Sequence, residues 1–345
     1  MYKPKTVRNI IKPIVVVALV IMTLAGLATS LVHTRAAAAT YNVIVGTDTS
    51  YGLESLAFFP QTLKVHKGDT VTWQFRGFHN ARFDQKPLDL VVVNDIDGKK
   101  LPEFNPAILF PNAKSGDAFK PGANSGVQAL VNPTGLAFSV VMNAEPGTYT
   151  YVCDVHPGMV GTIVVVDDKT DIPSPADVDK AGAEGVKAAL EDGDKAIMAA
   201  LKTFLPEVKG DTLQVSAGLQ QGNTAVMRFY PEDATIQVGQ RVTWTVPQGM
   251  DPHTVNFPLA KEGRIDIFAP TMDSKKQLHG LVSDAANANL KSGAELPTDG
   301  VAKSGILAPT QSFTLKFTKP GVYAYYCAIH PNQFGTIEVL PPQQQ

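Results

Sequence analysis

Each half of this 345-residue chain holds a cysteine with a histidine three residues after it and another histidine far upstream. In the first half the set is His79, Cys153 and His156, with Met159 three residues further on; in the second it is His253, Cys327 and His330, with Gln333 in the position of the methionine. Two imidazoles, a thiolate and a weak thioether form the donor set of a type 1, blue-copper electron-transfer site, since a trigonal arrangement with a long axial bond suits both oxidation states of copper. A Cys-x-x-His pair alone fits zinc or chance as well as copper. The upstream histidine, the methionine and the second copy narrow the reading to two type 1 copper ions, one per half. Glutamine is an alternative axial donor, so either the Gln333 amide binds the second copper or that site is three-coordinate.

Presenting these donors requires a rigid frame, and the chain repeats one. Pro146-Gly-Thr-Tyr-Thr-Tyr-Val-Cys153 matches Pro320-Gly-Val-Tyr-Ala-Tyr-Tyr-Cys327, and Lys67-Gly-Asp-Thr-Val-Thr-Trp73 matches Val238-Gly-Gln-Arg-Val-Thr-Trp244. The second copy gains three residues in the next loop, after which His79 and His253 stand equally far, 74 residues, before their cysteines. Runs rich in β-branched and aromatic residues, bounded by Gly, Pro, Asn and Asp, predict strands at 70–76, 148–153, 161–167, 241–246, 312–317 and 335–340. The expected fold is all-β: one β-sandwich over residues 40–168 and another over 211–345, joined by a partly helical linker at 169–210. The linker is expected to be helical from Ala176 to Leu205 with an interruption at Gly193. Val186, Leu190, Ile197, Leu201 and Leu205 would form its buried face. Trp73, Trp244, Tyr149 and Tyr323 are expected in the cores, each tyrosine hydroxyl on a backbone partner.

Cys153-Asp-Val-His156-Pro-Gly-Met159 resembles the ligand loop of amicyanin, and Pro252-His253-Thr-Val-Asn-Phe257 resembles the first-histidine segment of plastocyanins. Both halves thus look like cupredoxins, specifically so only around the ligands and the Gly-Asp-Thr-Val-Thr-Trp strand. That resemblance implies Greek-key sandwiches, copper and one-electron transfer, with His156 and His330 at the surface as electron ports. A glutamine-type site resembles that of phytocyanins, which implies a lower potential at Cys327 and electron flow from there to Cys153. The spacing between ligands exceeds what small cupredoxins need, so extra loops are expected near 84–126 and 258–305, with no role legible.

Lys3, Lys5, Arg8 and Lys12 precede an apolar run from Ile14 to Val32 and a small-residue stretch at Ala36–Ala39. This predicts that residues 1–39 are a signal peptide or, uncleaved, an N-terminal anchor, and that the protein is exported. No cysteine lies there for lipid attachment. The leader carries five basic and no acidic residues, so the remainder is more acidic than the whole chain at a net charge of −2, and a nucleic-acid partner is not expected. A membrane contact is expected only through an uncleaved leader. A disulfide is the alternative use of the two cysteines in an oxidising compartment, but it would leave two matched histidine sets without purpose.

The expected partners are therefore a redox donor and a redox acceptor. An enzyme of the nitrite reductase or multicopper oxidase type is the alternative, and it needs further histidines. There is no His-x-His, Val152 and Tyr326 precede the cysteines, His33 falls in the leader, and only His66 and His279 remain, both expected to face solvent. Copper sequestration or delivery fits less well, because an enclosed rigid site releases metal slowly.

Overall fold

The computed structural model describes residues 37–342 apart from 48–51, 85, 157, 205, 260–266 and 331–332. The expected leader up to residue 36 lies outside the described residues, as do Pro157, Pro331 and Leu205.

Alternation of apolar and polar residues builds both halves. In Thr70–Phe75 the side chains of Val71, Trp73 and Phe75 are buried while Thr70, Thr72 and Gln74 are not, the period of a strand with one face on a core. That strand runs parallel to Thr40–Val45 and antiparallel to Ala137–Val141, and Phe58–Phe59 and Asp117–Ala118 complete a five-stranded sheet. A three-stranded sheet of Gly147–Val152, Val160–Val166 and Thr62–His66 covers it. The second domain repeats the plan. Thr212–Gln221 lies parallel to Arg241–Thr245, which pairs with Ser312–Lys316, and opposite them Asp233–Gln237, Phe334–Leu340 and Gly321–Tyr326 form the other sheet.

Trp73 and Trp244 are fully buried as expected, but the tyrosines packed against them are Tyr151 and Tyr325, edge-on with ring centroids 5.2 Å apart in each domain. Tyr149 and Tyr323 sit at the core's margin, where their hydroxyls donate to the carbonyls of Glu145 at 2.7 Å and Lys319 at 3.1 Å. Tyr149 and Tyr151 share a strand face, and burial increases along the strand toward the metal-binding loop, so the tyrosine two residues before the cysteine lies deeper.

The two domains are interleaved. Leu53–Ser55 leaves the first sandwich and pairs antiparallel with Thr224–Tyr230, becoming an edge strand of the second domain's sheet, with Glu54 opposite Ala225. The extra loops acquire a role here. Val91–Ile96 and Lys99–Phe104 from the first domain join Phe268–Met272 and Leu278–Val282 from the second in one four-stranded sheet, through Leu281 opposite Glu103. Beneath it Phe104, Ile108, Leu109, Val127, Ile267, Ala286 and Ala328 make a third core shared by both domains. Ile108 and Leu109 are fully buried, a gain of ~1.5–3 kcal/mol each.

A single helix, Pro175–Thr203, links the halves. Ser174 caps it by accepting from the Asp177 amide, in a reciprocal capping box, with Pro175 in the first turn. The expected break at Gly193 is absent, because Gly193 faces the core: a Cβ there would stand 2.8 Å from Leu53 Cδ2. The expected face is corrected in part. Val186 is buried and Ile197 packs against the core around Leu53, as expected, but Leu190 and Leu201 are exposed, and Val178, Gly182, Gly193, Ala196 and Ala200 make up the rest of the buried face. Small residues win because they let the helix axis approach both sheets, and Thr224 Oγ1 donates to the Ala189 carbonyl at 2.9 Å.

His279 is not solvent-facing. Its Nδ1 lies 2.8 Å from Oε2 of the buried Glu103 across the domain boundary, and Nε2 lies 3.5 Å from Asp273. His66 has Nε2 3.0 Å from the Thr170 carbonyl. Hydrogen bonding to Glu103, then to Asp273, raises the His279 pKa against a smaller burial effect. A raised histidine pKa stabilises the fold fully below the ordinary value of 6.5 and loses that contribution as pH rises through the raised value. The melting temperature of the parent should therefore exceed that of His279→Asn most at about pH 6, and the difference should shrink as pH rises above the ordinary histidine range; a constant difference would contradict the ion pair's contribution.

Candidate metal centres

The two donor sets are assembled from elements far apart in sequence. Cys153 follows the end of Gly147–Val152, and the chain turns back at once into Val160–Val166. The turn is held by the Cys153 amide donating to the Met159 carbonyl at 3.0 Å and the Met159 amide donating to the His156 carbonyl at 3.1 Å. The same pair recurs from Cys327 to Gln333, at 2.9 Å, and from Gln333 to His330, at 3.4 Å.

The upstream histidines are delivered by the next residue in the chain. Asn80 accepts from the Asp154 amide at 2.8 Å, and its Nδ2 donates to Asp154 Oδ2 at 2.8 Å. At the equivalent place Thr254 Oγ1 accepts from the Ala328 amide at 2.7 Å, and the Thr254 amide donates to Cys327 Sγ at 3.4 Å. The residue after each histidine is thus bonded to the residue after each cysteine. Arg82 reinforces the first site through a buried two-point pair with Asp154, at 2.9 and 2.6 Å.

Cys153 Sγ lies 3.8 Å from His79 Nδ1 and 3.5 Å from His156 Nδ1, and Cys327 Sγ lies at the same distances, 3.8 and 3.5 Å, from His253 Nδ1 and His330 Nδ1. In each domain the three donor atoms fall within 4.8 Å of one another and all three residues are buried. Both cysteines are free, which sets aside the disulfide. Burial holds the His79 and His330 pKa values well below the usual range and that of His253 at about 4, so these imidazoles keep a free lone pair at neutral pH. His156 is different: burial pulls it down, but Asp251, Cys153 and Glu54 outweigh that and carry it to about 10. Burial raises the Cys327 thiol, partly offset by the Thr254 amide. The donor chemistry fits copper, one ion per domain: soft thiolate with imidazole nitrogen, enclosed and pre-shaped.

Met159 is buried against the first core beside Cys153. Gln333 is buried with Oε1 2.9 Å from His253 Nδ1, so its amide oxygen reaches the donor cluster.

His156 and His330 are not surface ports. They are only 5% and 8% exposed, and both line one largely apolar cavity of about 290 Å³ between the domains, walled by Phe78, Leu90, Phe104 and Phe268.

Two glycines escaped the sequence reading. Gly46 and Gly218, each just beyond the parallel strand pair, have φ of 74° and 94°. A Cβ would stand 2.4 Å from His79 Nε2 at the first and 3.0 Å from His253 Nε2 at the second, so only glycine leaves room for the imidazoles. Their matched place in the repeat was the available signal.

A family model described as copper binding proteins, plastocyanin/azurin family, matches residues 45–166 and 215–340. Plastocyanin of Synechococcus sp. is 29% identical over 159 residues, 46% of this chain and 95% of its own length. Chloroplastic plastocyanin of Physcomitrium patens is 27% identical over 143 residues, 41% and 65% of the two chains, and amicyanin-alpha of Methylorubrum extorquens 25% over 126 residues, 36% and 76%.

Gly46→Ala should remove most of the first domain's copper absorption and leave the second's. Gly98→Ala, where φ is 80° but no atom lies within 4 Å of the added Cβ, should cost only about 1 kcal/mol of stability and no copper. Equal copper retention in the two variants would contradict the clearance argument.

Proposed function

We propose, on the premise that this chain belongs to the copper-binding plastocyanin/azurin family, that it is an exported electron carrier with two type 1 copper sites. The observation that carries the proposal is the pair of buried, matching His–Cys–His donor sets. His79, Cys153 and His156 would hold one ion, with Met159 as a further donor; His253, Cys327 and His330 would hold the other, with Gln333 as a further donor, supported by the reach of its amide oxygen to His253. Copper, when bound, supplies a one-electron couple. The protein's part is to hold the donors in place while the charge changes, through the strand-to-loop hydrogen bonds described above, so that little must rearrange. An amide oxygen is harder than a thioether and would favour oxidised copper, so the contribution of Gln333 would make the potential lower at Cys327 than that of Met159 does at Cys153. With both His156 and His330 turned toward the domain boundary, the two centres would exchange electrons within the chain, and separate redox proteins would serve as donor and acceptor.

One observation favours a second reading, a copper-dependent oxidoreductase: the cavity that reaches both His156 and His330 could admit a small apolar donor. Against it, His66 and His279 stand at other partners, Thr170 and Glu103, and supply no further copper centre.

The visible and EPR spectra of the mature protein, with its copper content, should give two ions per chain and two type 1 signals. Cys153→Ser and Cys327→Ser should each remove one signal. A colourless copper-loaded protein would overturn the proposal, and consumption of oxygen or nitrite with a supplied donor would establish the second reading instead.

A further inference from the structure

The two centres share their donors' arrangement but differ behind them. In the first domain the remote nitrogens of both imidazoles face buried carboxylates: His79 Nε2 lies 3.3 Å from Glu54 Oε1, and His156 Nε2 lies 3.6 Å from Asp251 Oδ2 and 3.9 Å from Glu54 Oε1. Glu54 and Asp251 are each 6% exposed, and Asp251 Oδ2 has no hydrogen-bond partner among the described residues. In the second domain His253 Nε2 has no such partner among the described residues and abuts the space kept by Gly218 and Met250.

Both carboxylates owe their position to the second domain. Asp251 belongs to it, two residues before His253. Glu54 belongs to the first domain in sequence but sits on the strand annexed by the second domain's sheet. The first domain has Gly77 where the repeat places Asp251, and this glycine is what admits Glu54: a Cβ at Gly77 would stand 3.1 Å from Glu54 Oε1 and 3.3 Å from His79 Nε2.

We infer that Glu54 and Asp251 are positioning residues through which the second domain sets the potential of the first domain's copper. The inference rests on the copper reading above. A copper-bound imidazole carries its proton on the remote nitrogen, and a carboxylate facing that N–H orients the ring and makes the other nitrogen a stronger donor. A Cu(II)–thiolate unit carries one more positive charge than Cu(I)–thiolate, so a nearby negative charge in a buried setting favours the oxidised form. The carboxylates therefore oppose the further donors: Met159 in place of Gln333 raises the first site's potential relative to the second, and Glu54 and Asp251 lower it. Docking of the domains narrows the gap, so that electrons can pass in either direction between the centres.

The test is spectroelectrochemical titration of the copper-loaded full chain in a Cys327→Ser background, where only the first site reports. Asp251→Asn and Glu54→Gln should each shift its oxidised-to-reduced ratio about tenfold toward Cu(I), a rise of about 59 mV for one electron, with copper content and blue colour retained. Asp251→Glu should stay near the parent. In the Cys153→Ser background the second site should move far less. The Zn(II)-loaded chain supplies a readout independent of copper: the imidazole N–H protons of His79 and His156 should resonate downfield and shift upfield in the respective variants. A blue protein whose first-site potential and N–H shifts are unmoved by both substitutions overturns this inference alone. A chain without type 1 copper overturns the reading beneath it. If a substitution prevents folding, the other variant and the zinc spectra of the parent decide.

Discussion

The strand Leu53–Ser55 crosses from one sandwich into the other, and the arrangement of both metal centres follows from it. A free sheet edge is a liability that a chain must pair or cover, and here the edge of the second domain at Thr224–Tyr230 is paired by residues that precede it by more than a domain's length. The helix Pro175–Thr203 lies over the same region, with Gly193 against Leu53 and Thr224. Docking is thereby built into the sheets, and the shared core around Ile108 and Leu109 adds to it. A pair of sandwiches on a flexible tether would present two independent histidine edges to solvent. This chain turns them toward each other.

Fixed docking explains why the two sites look alike in their donors and unlike in their surroundings. The Sγ–Nδ1 distances agree between domains because the loops and the Asn80 or Thr254 bond that sets them are local to each sandwich. The groups behind the imidazoles come from across the boundary, where duplication imposes no symmetry. Gly77 and Asp251 occupy equivalent places and do opposite things, one leaving space for a carboxylate and the other supplying one.

The ligands were legible in the sequence because three of each four lie in one short loop and because the chain states the pattern twice. The six strands expected around the ligands were legible to within a residue or so, as in Thr70–Phe75, where Val71, Trp73 and Phe75 alternate with polar neighbours. The helix was legible, but its face only in part: periodicity points to Leu190 and Leu201, whereas close approach to two sheets selects Gly182, Gly193 and Ala196. Glu54 and Asp251 left no trace, because each becomes a neighbour of a copper ligand only after the domains dock. The same holds for His279, which nothing local pairs with Glu103, and for the extra loops, each of which forms its own hairpin but joins the other in one sheet only across the domain boundary. The surface placement of His156 and His330 came with the resemblance to single-domain relatives, and a second domain on that surface reverses it.

The central claim is that the two copper centres face each other across a docked boundary, and it is tested most directly by pulsed EPR on the fully oxidised chain. The account predicts a strong dipolar coupling of one narrow distribution between two Cu(II) centres, absent when either cysteine is replaced by serine. Two uncoupled signals, or a broad range of separations, would mean that the domains are not held as described.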